Sequence, residues 1–138
     1  LSNGIDRSKV KFLGTGLWNS ATDSREAMIA GAWYPAPAPY SDDAFNQKYK
    51  NTFGSDVLPL ASLAYDAVAL VAQLSSGQPY HRFTLQAITD PNGFAGVNGI
   101  FRFKADGGSE RGLSVLAVDP SGPTLVDPAP RTFQPTGS

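Results

Sequence analysis

The chain has 138 residues, 41% of them hydrophobic and including 8 Phe, 5 Tyr and 2 Trp, enough for one ordinary domain with a real core. Eleven basic residues against twelve acidic ones give a net charge of -1, with no patch of Lys or Arg able to neutralise a run of phosphates. Nucleic acid and anionic membrane are therefore excluded as partners, and the absence of cysteine excludes disulfide staples and thiolate metal sites.

In chain order, Leu1-Ser-Asn-Gly4 reads as the end of a helix with Asn3-Gly4 as its stop signal. The expectation is that these residues belong to a longer protein whose signal peptide lies outside them. Lys9-Val-Lys-Phe-Leu13 alternates polar and apolar residues, which predicts a strand running into the flexible loop Gly14-Thr-Gly16. Helical spacing follows from Asp23 to Ile29, with Asp23 and Glu26 placed as a capping box. Gly31-Ala-Trp-Tyr34 predicts a short aromatic strand, ended by the linker Pro35-Ala-Pro-Ala-Pro39.

Ser41 is placed to cap a helix with Asp42 and Asp43 in its first turn. Phe45, Tyr49 and Phe53 fall on one face of it, and Gly54 closes it. A second helix, about Pro59 to Leu74, is apolar nearly all round and is expected to be buried on most sides. The apolar stretch Leu58 to Leu74 is interrupted by Pro59, Ser62, Asp66 and Gln73, too polar and short to span a bilayer. Phe83 to Ile88 predicts a shorter helix ending at Asp90-Pro91. Ile100-Phe-Arg-Phe-Lys104 predicts a strand, turning at Asp106-Gly107-Gly108 and returning as a strand over Leu113 to Val118. Thr124-Leu-Val126 is a further short strand, and the Pro-rich tail after Asp127 runs along the surface. The order belongs to an α/β layer architecture whose sheet lacks members, again pointing to a fragment.

Chemistry is sparse. Nucleophilic catalysis needs a nucleophile beside a base, and the single histidine, His81, sits at a helix start as a solvated residue. No nucleophile elbow, Walker loop or zinc-protease motif occurs, and Gly14-Thr-Gly16 lacks the third glycine of a dinucleotide fingerprint because position 19 is Asn. No metal site and no cofactor are expected: Asp23, Glu26, Asp42 and Asp43 are accounted for as helix N-terminal acids, and Asp106 as a turn residue. Asp66, inside an apolar helix, is either a bonded anchor or a group facing a cleft. Phe94 is either a plug packed under its loop or a ring facing a cleft. Trp18-Asn19, just after a strand, is the best binding candidate, Trp18 being otherwise a core residue.

Four motifs occur in order: Lys9-Val-Lys-Phe-Leu-Gly-Thr-Gly-Leu-Trp18, Gly31-Ala-Trp-Tyr34 before the prolines, Leu60-Ala-Ser-Leu-Ala-Tyr-Asp-Ala-Val-Ala69, and Gly93-Phe-Ala-Gly-Val-Asn-Gly-Ile-Phe-Arg-Phe103 with Asp106-Gly107. Together they resemble the last portion of type I periplasmic binding proteins, in particular the leucine/isoleucine/valine-binding branch and its penicillin-binding protein activator relatives. The resemblance implies a partial α/β fold of two Rossmann-like lobes, present as an incomplete fragment spanning both. Residues 1–39 would be a second-lobe segment and hinge, 40–98 first-lobe helices, and 99–138 returning strands and tail.

It further implies a non-enzymatic solute receptor in the periplasm, with a small amino-acid-like or aromatic ligand and a membrane permease as partners. The alternative is a regulatory protein of the activator type that touches a cell-wall synthase. Thr15, Trp18 and Asn19 are the ligand-binding candidates. Amino-acid-binding members carry an acid in the corresponding loop for the ligand's ammonium group; here Gly14-Thr-Gly-Leu-Trp18 has no carboxylate, leaving aromatic, apolar and peptidoglycan-related ligands open. An incomplete sheet would expose apolar surface, so the isolated chain is expected to self-associate with the 58–74 helix at the contact.

Overall fold

The structure, a computed structural model, describes residues 9–20, 26–39, 41–58 and 60–134. The readings of Leu1–Gly4 as a helix end and of Asp23 as a cap lie outside the described residues. The chain divides into two compact units, Leu1–Pro39 with Leu113–Ala129 and Tyr40–Gly112 with Pro130–Ser138.

The first unit is built on a three-stranded antiparallel sheet. Its strands are β1 (Trp33–Ala36), the central β5 (Ser114–Ala117) and β6 (Thr124–Asp127). Period-two alternation turns Tyr34 and Ala36 of β1 and Leu116 of β5 into a shared core with the flanking Ala32 and Val118, and Phe12, Trp18 and Ile29 pack against it. The expected strand over 9–13 shrinks to one parallel bridge, Leu13 with Trp33. Val10 and Leu13 are exposed and only Phe12 of the segment packs on the core, too little buried surface to fix a longer register. The one-turn helix α1 (Glu26–Ile29) leads into β1.

The strand expected to stop at Tyr34 instead runs through Pro35. Trp33 points its N–H at Phe12 O and its C=O at Gly14 N, away from β5. Pro35, two residues on, faces the same side, so its missing N–H removes no bond to β5.

The second unit holds the helices α2 (Asp43–Phe53), α3 (Ala61–Ser75) and α4 (Leu85–Ile88), and the strands β2 (Phe94–Gly96), β3 (Gly99–Phe103) and β4 (Ser109–Arg111). Asp42, not Ser41, takes the N-cap position of α2, with no side-chain capping bond. Gly54 ends the helix in the left-handed conformation at φ 70, its N–H on Lys50 O. Phe45, Tyr49 and Phe53 stack along one face with centroids 6.1 and 4.7 Å apart, and Phe45 meets Tyr65 of α3 at 5.1 Å. Thr84 starts α4 by accepting the Ala87 N–H, so that helix begins later than Phe83, whose own φ of 57 is not helical.

The expectation that α3 is buried on most sides is overturned. Only Ser62 and Asp66 of α3 are buried, while Val68 is 70% and Val71 55% exposed. These two polar residues, one turn apart, choose the inward face because each finds a partner on the β2–β3 turn. Ser62 Oγ accepts from Asn98 Nδ2 at 2.9 Å, and Asp66 Oδ1 accepts from the Val97 N–H at 2.8 Å. Arg111 Nη1 lies 3.8 Å from the other Asp66 oxygen. Gly96 permits this approach, since a Cβ there would overlap the Asp66 carboxylate. Asp66 is therefore a bonded anchor.

The β3 hairpin also differs from expectation. Asp106-Gly107-Gly108 turns the chain directly into β4, which pairs with β3, whereas residues 114–117 join the other sheet as β5. Gly112 separates the two strands, and its neighbours Ile100 and Pro130 leave no room for a Cβ. Phe94 and Phe101 are buried across β2 and β3, so Phe94 packs into the core. In the tail, Phe133 lies under the Arg102 guanidinium at 4.5 Å, and Gln134 Nε2 donates to Asn92 Oδ1.

Asp66→Ala is expected to cost about 2–4 kcal/mol, because it orphans a half-buried N–H and a half-buried guanidinium. Val68→Ala on the exposed face should change stability by less than about 0.5 kcal/mol. Urea unfolding of the two variants measures the difference.

Candidate functional site

The loop after residues 9–13 follows the isolated parallel bridge of Leu13 with Trp33. It becomes a short 3-10 helix over Gly16–Ser20, closed by the Trp18 N–H on Thr15 O at 3.0 Å. Thr15 and Asn19 are exposed, and the Trp18 ring is half-buried against the core of the first unit. Trp18 stands edge-on to Tyr34, centroids 6.3 Å apart at 62°. Gly14 lies beneath that ring, where a Cβ would overlap it.

Tyr34, which the sequence reading left as a strand residue, is the support of this loop. It is 3% exposed, and its hydroxyl donates to Asn19 Oδ1 at 3.4 Å. The contact joins residues fifteen positions apart, so no local spacing announces it. Leu17 of the same turn is 81% exposed. Upstream, Lys11 Nζ donates to Gly31 O and lies 4.7 Å from the centre of the Trp33 ring.

Three candidates from the sequence thus share one turn, with the hydroxyl of Thr15, the flank of Trp18 and the amide of Asn19 on a tyrosine support. His81 is exposed in the loop before α4. Among the described residues, no group of three or more His, Cys, Asp or Glu side chains is placed to hold a metal ion. No described helix is long and apolar enough to cross a membrane.

No protein-family model and no curated protein sequence matches the chain. Solved structures do. One, assigned to branched-chain amino acid ABC transport in Rhodospirillum rubrum, matches 87% of this chain at 21% identity, with a TM-score of 0.61. The chain has part of the type I periplasmic-binding-protein fold. An ABC transporter substrate-binding protein from Desulfitobacterium hafniense matches 86% of it at 20% identity and a TM-score of 0.55. The chain spans 38% of the first of these structures and 36% of the second.

Gly14→Ala is expected to push the Trp18 ring off its seat, at a cost of about 1–3 kcal/mol. In a Trp33→Phe background, tryptophan emission should shift to the red as the ring gains water; unchanged emission would mean that the ring does not rest on Gly14.

Proposed function

We propose that this protein binds a small solute without transforming it, as the periplasmic receptor of an ABC-type uptake transporter, with a membrane permease as its partner. The observation that carries the reading is the fold shared with a substrate-binding protein of such a transporter over most of the chain. A fold alone does not define a function. Its support here is a loop packed on the first unit's core through Trp18 and Tyr34.

In this reading Thr15, Trp18 and Asn19 form one wall of the ligand site. Trp18 supplies apolar surface, and Thr15 and Asn19 supply hydrogen bonds that set orientation. Residues 1–39 would belong to one lobe and its hinge, with 40–98 as helices of the other and 99–138 returning to both. The regulatory alternative, contact with a cell-wall synthase, rests on the sequence resemblance alone.

A thermal-shift screen of the full-length protein against amino acids, organic acids and muropeptides tests the proposal. A ligand at 100 times its Kd is expected to add about 2.7 kcal/mol of stability. Trp18→Ala should remove most of that gain. Equal stabilisation of both proteins would take Trp18 out of the site, and the absence of any stabilising solute would contradict the receptor reading.

The exposed apolar face of α3, with Leu63, Val68 and Val71, further supports self-association of the isolated chain. Light scattering should give a mass above 14.6 kDa that falls toward it in Val68→Glu; a monomeric mass for the unaltered chain would refute the contact.

A further inference from the structure

We infer that Asn92–Gly93 is a site of self-modification, a deamidation that the docked tail at Phe133 and Gln134 holds back and that, once made, unseats that tail. An asparagine followed by glycine carries its own nucleophile, because no side chain on the next residue shields the backbone nitrogen. The deprotonated Gly93 nitrogen attacks Asn92 Cγ. The N–Cγ bond forms as Cγ–Nδ2 breaks, and Nδ2 leaves as ammonia. Water then opens the cyclic imide at either carbonyl, giving aspartate or isoaspartate.

The fold imposes the glycine. Gly93 has a φ of 72, and a Cβ on it would overlap Phe101 O and the Phe133 ring. The turn also restrains the reaction. Gly93 N–H donates to Asp90 O at 2.9 Å, and Asn92 Nδ2 donates to Asp90 Oδ1 at 3.0 Å. That carboxylate only accepts, so the other end of the amide, Oδ1, meets Gln134 Nε2, which donates to it at 3.1 Å. Phe133 covers the glycine and stacks on Arg102 at 4.5 Å. With the nucleophile and both ends of the amide held, the reaction waits on local opening of the turn.

Asn98–Gly99 is the internal comparison, again with a left-handed glycine, at φ 101. Asn98 is half-buried and its Nδ2 donates to the buried Ser62, so freeing it means lifting α3 from its anchor. Asn92 is exposed, and freeing it takes only the turn and the tail. Deamidation replaces the Asn92 Nδ2–Asp90 bond by two facing carboxylates, whose repulsion opens the turn beneath Phe133.

Ageing the full-length protein at mildly alkaline pH tests the inference, with tandem mass spectrometry reading a gain of about 1 Da at each asparagine. Each rate is divided by that of the same site in the urea-unfolded chain, which cancels the effect of flanking residues. Asn92 should then convert about tenfold or more faster than Asn98. Gln134→Ala, an exposed change, should speed Asn92 about threefold and leave Asn98 unchanged. In Asn92→Asp, trypsin should cut after the exposed Arg131 about threefold faster than in the unaltered protein. An Asn98 that reacts as fast as Asn92 would overturn the inference, as would an Asn92 that does not react in the folded protein. So would an Asn92 rate untouched by Gln134→Ala, or unchanged cleavage after Arg131. Should Asn92→Asp not fold, the ageing rates of the unaltered and Gln134→Ala proteins still decide.

Discussion

Burying the Asp66 carboxylate beneath α3 costs several kcal/mol of lost hydration unless protein groups replace the water. The β2–β3 turn replaces part of it with the Val97 N–H at 2.8 Å, and Arg111 brings the opposite charge to 3.8 Å. Because α3 places Ser62 one turn earlier on the same face, Asn98 at the tip of that turn is bound as well. The helix is thereby docked by its polar stripe, and the apolar remainder of its surface is left outward. The close fit at Gly96 ties the hairpin to the same carboxylate, so α3 and the β2–β3–β4 sheet share one anchor.

The first unit rests on shape more than on charge. Tyr34, Leu116 and the small residues Ala32 and Ala36 interlock between β1 and β5, and Ser114, fully buried, satisfies its hydroxyl by accepting the Ala129 N–H at 3.0 Å. The same Tyr34 whose ring fills this core reaches the loop with its hydroxyl. Core packing and loop orientation therefore meet in one side chain. That is how a short surface loop comes to be held on a rigid element, the usual arrangement for a recognition site.

Local signals were legible wherever the neighbour in space is also a neighbour in sequence. The Phe45–Tyr49–Phe53 row and the Gly54 stop follow from helical spacing, and the Thr124 strand from its composition. Asp66 announced itself as a charge in an apolar helix, though its partners, Val97 and Arg111, are 31 and 45 positions away. Hydropathy could not say which face of α3 would turn inward, because hydrogen bonds to the β2–β3 turn decide that. Alternation continues on both sides of Gly112, so it could not separate β4 from β5; the tight packing around that glycine does. At the loop, the glycines and the Trp18-Asn19 pair were visible in the sequence. The tyrosine that meets the asparagine was not, since the contact crosses fifteen residues of chain.

The central claim is that this fold receives a solute on the Thr15–Asn19 turn, which Tyr34 supports. The most direct measurement is a crystal structure of the full-length protein with a solute bound. The account predicts a ligand polar atom about 3 Å from the Asn19 amide, with the Trp18 flank against the ligand's apolar part. A ligand seated without touching residues 15–19 would contradict it.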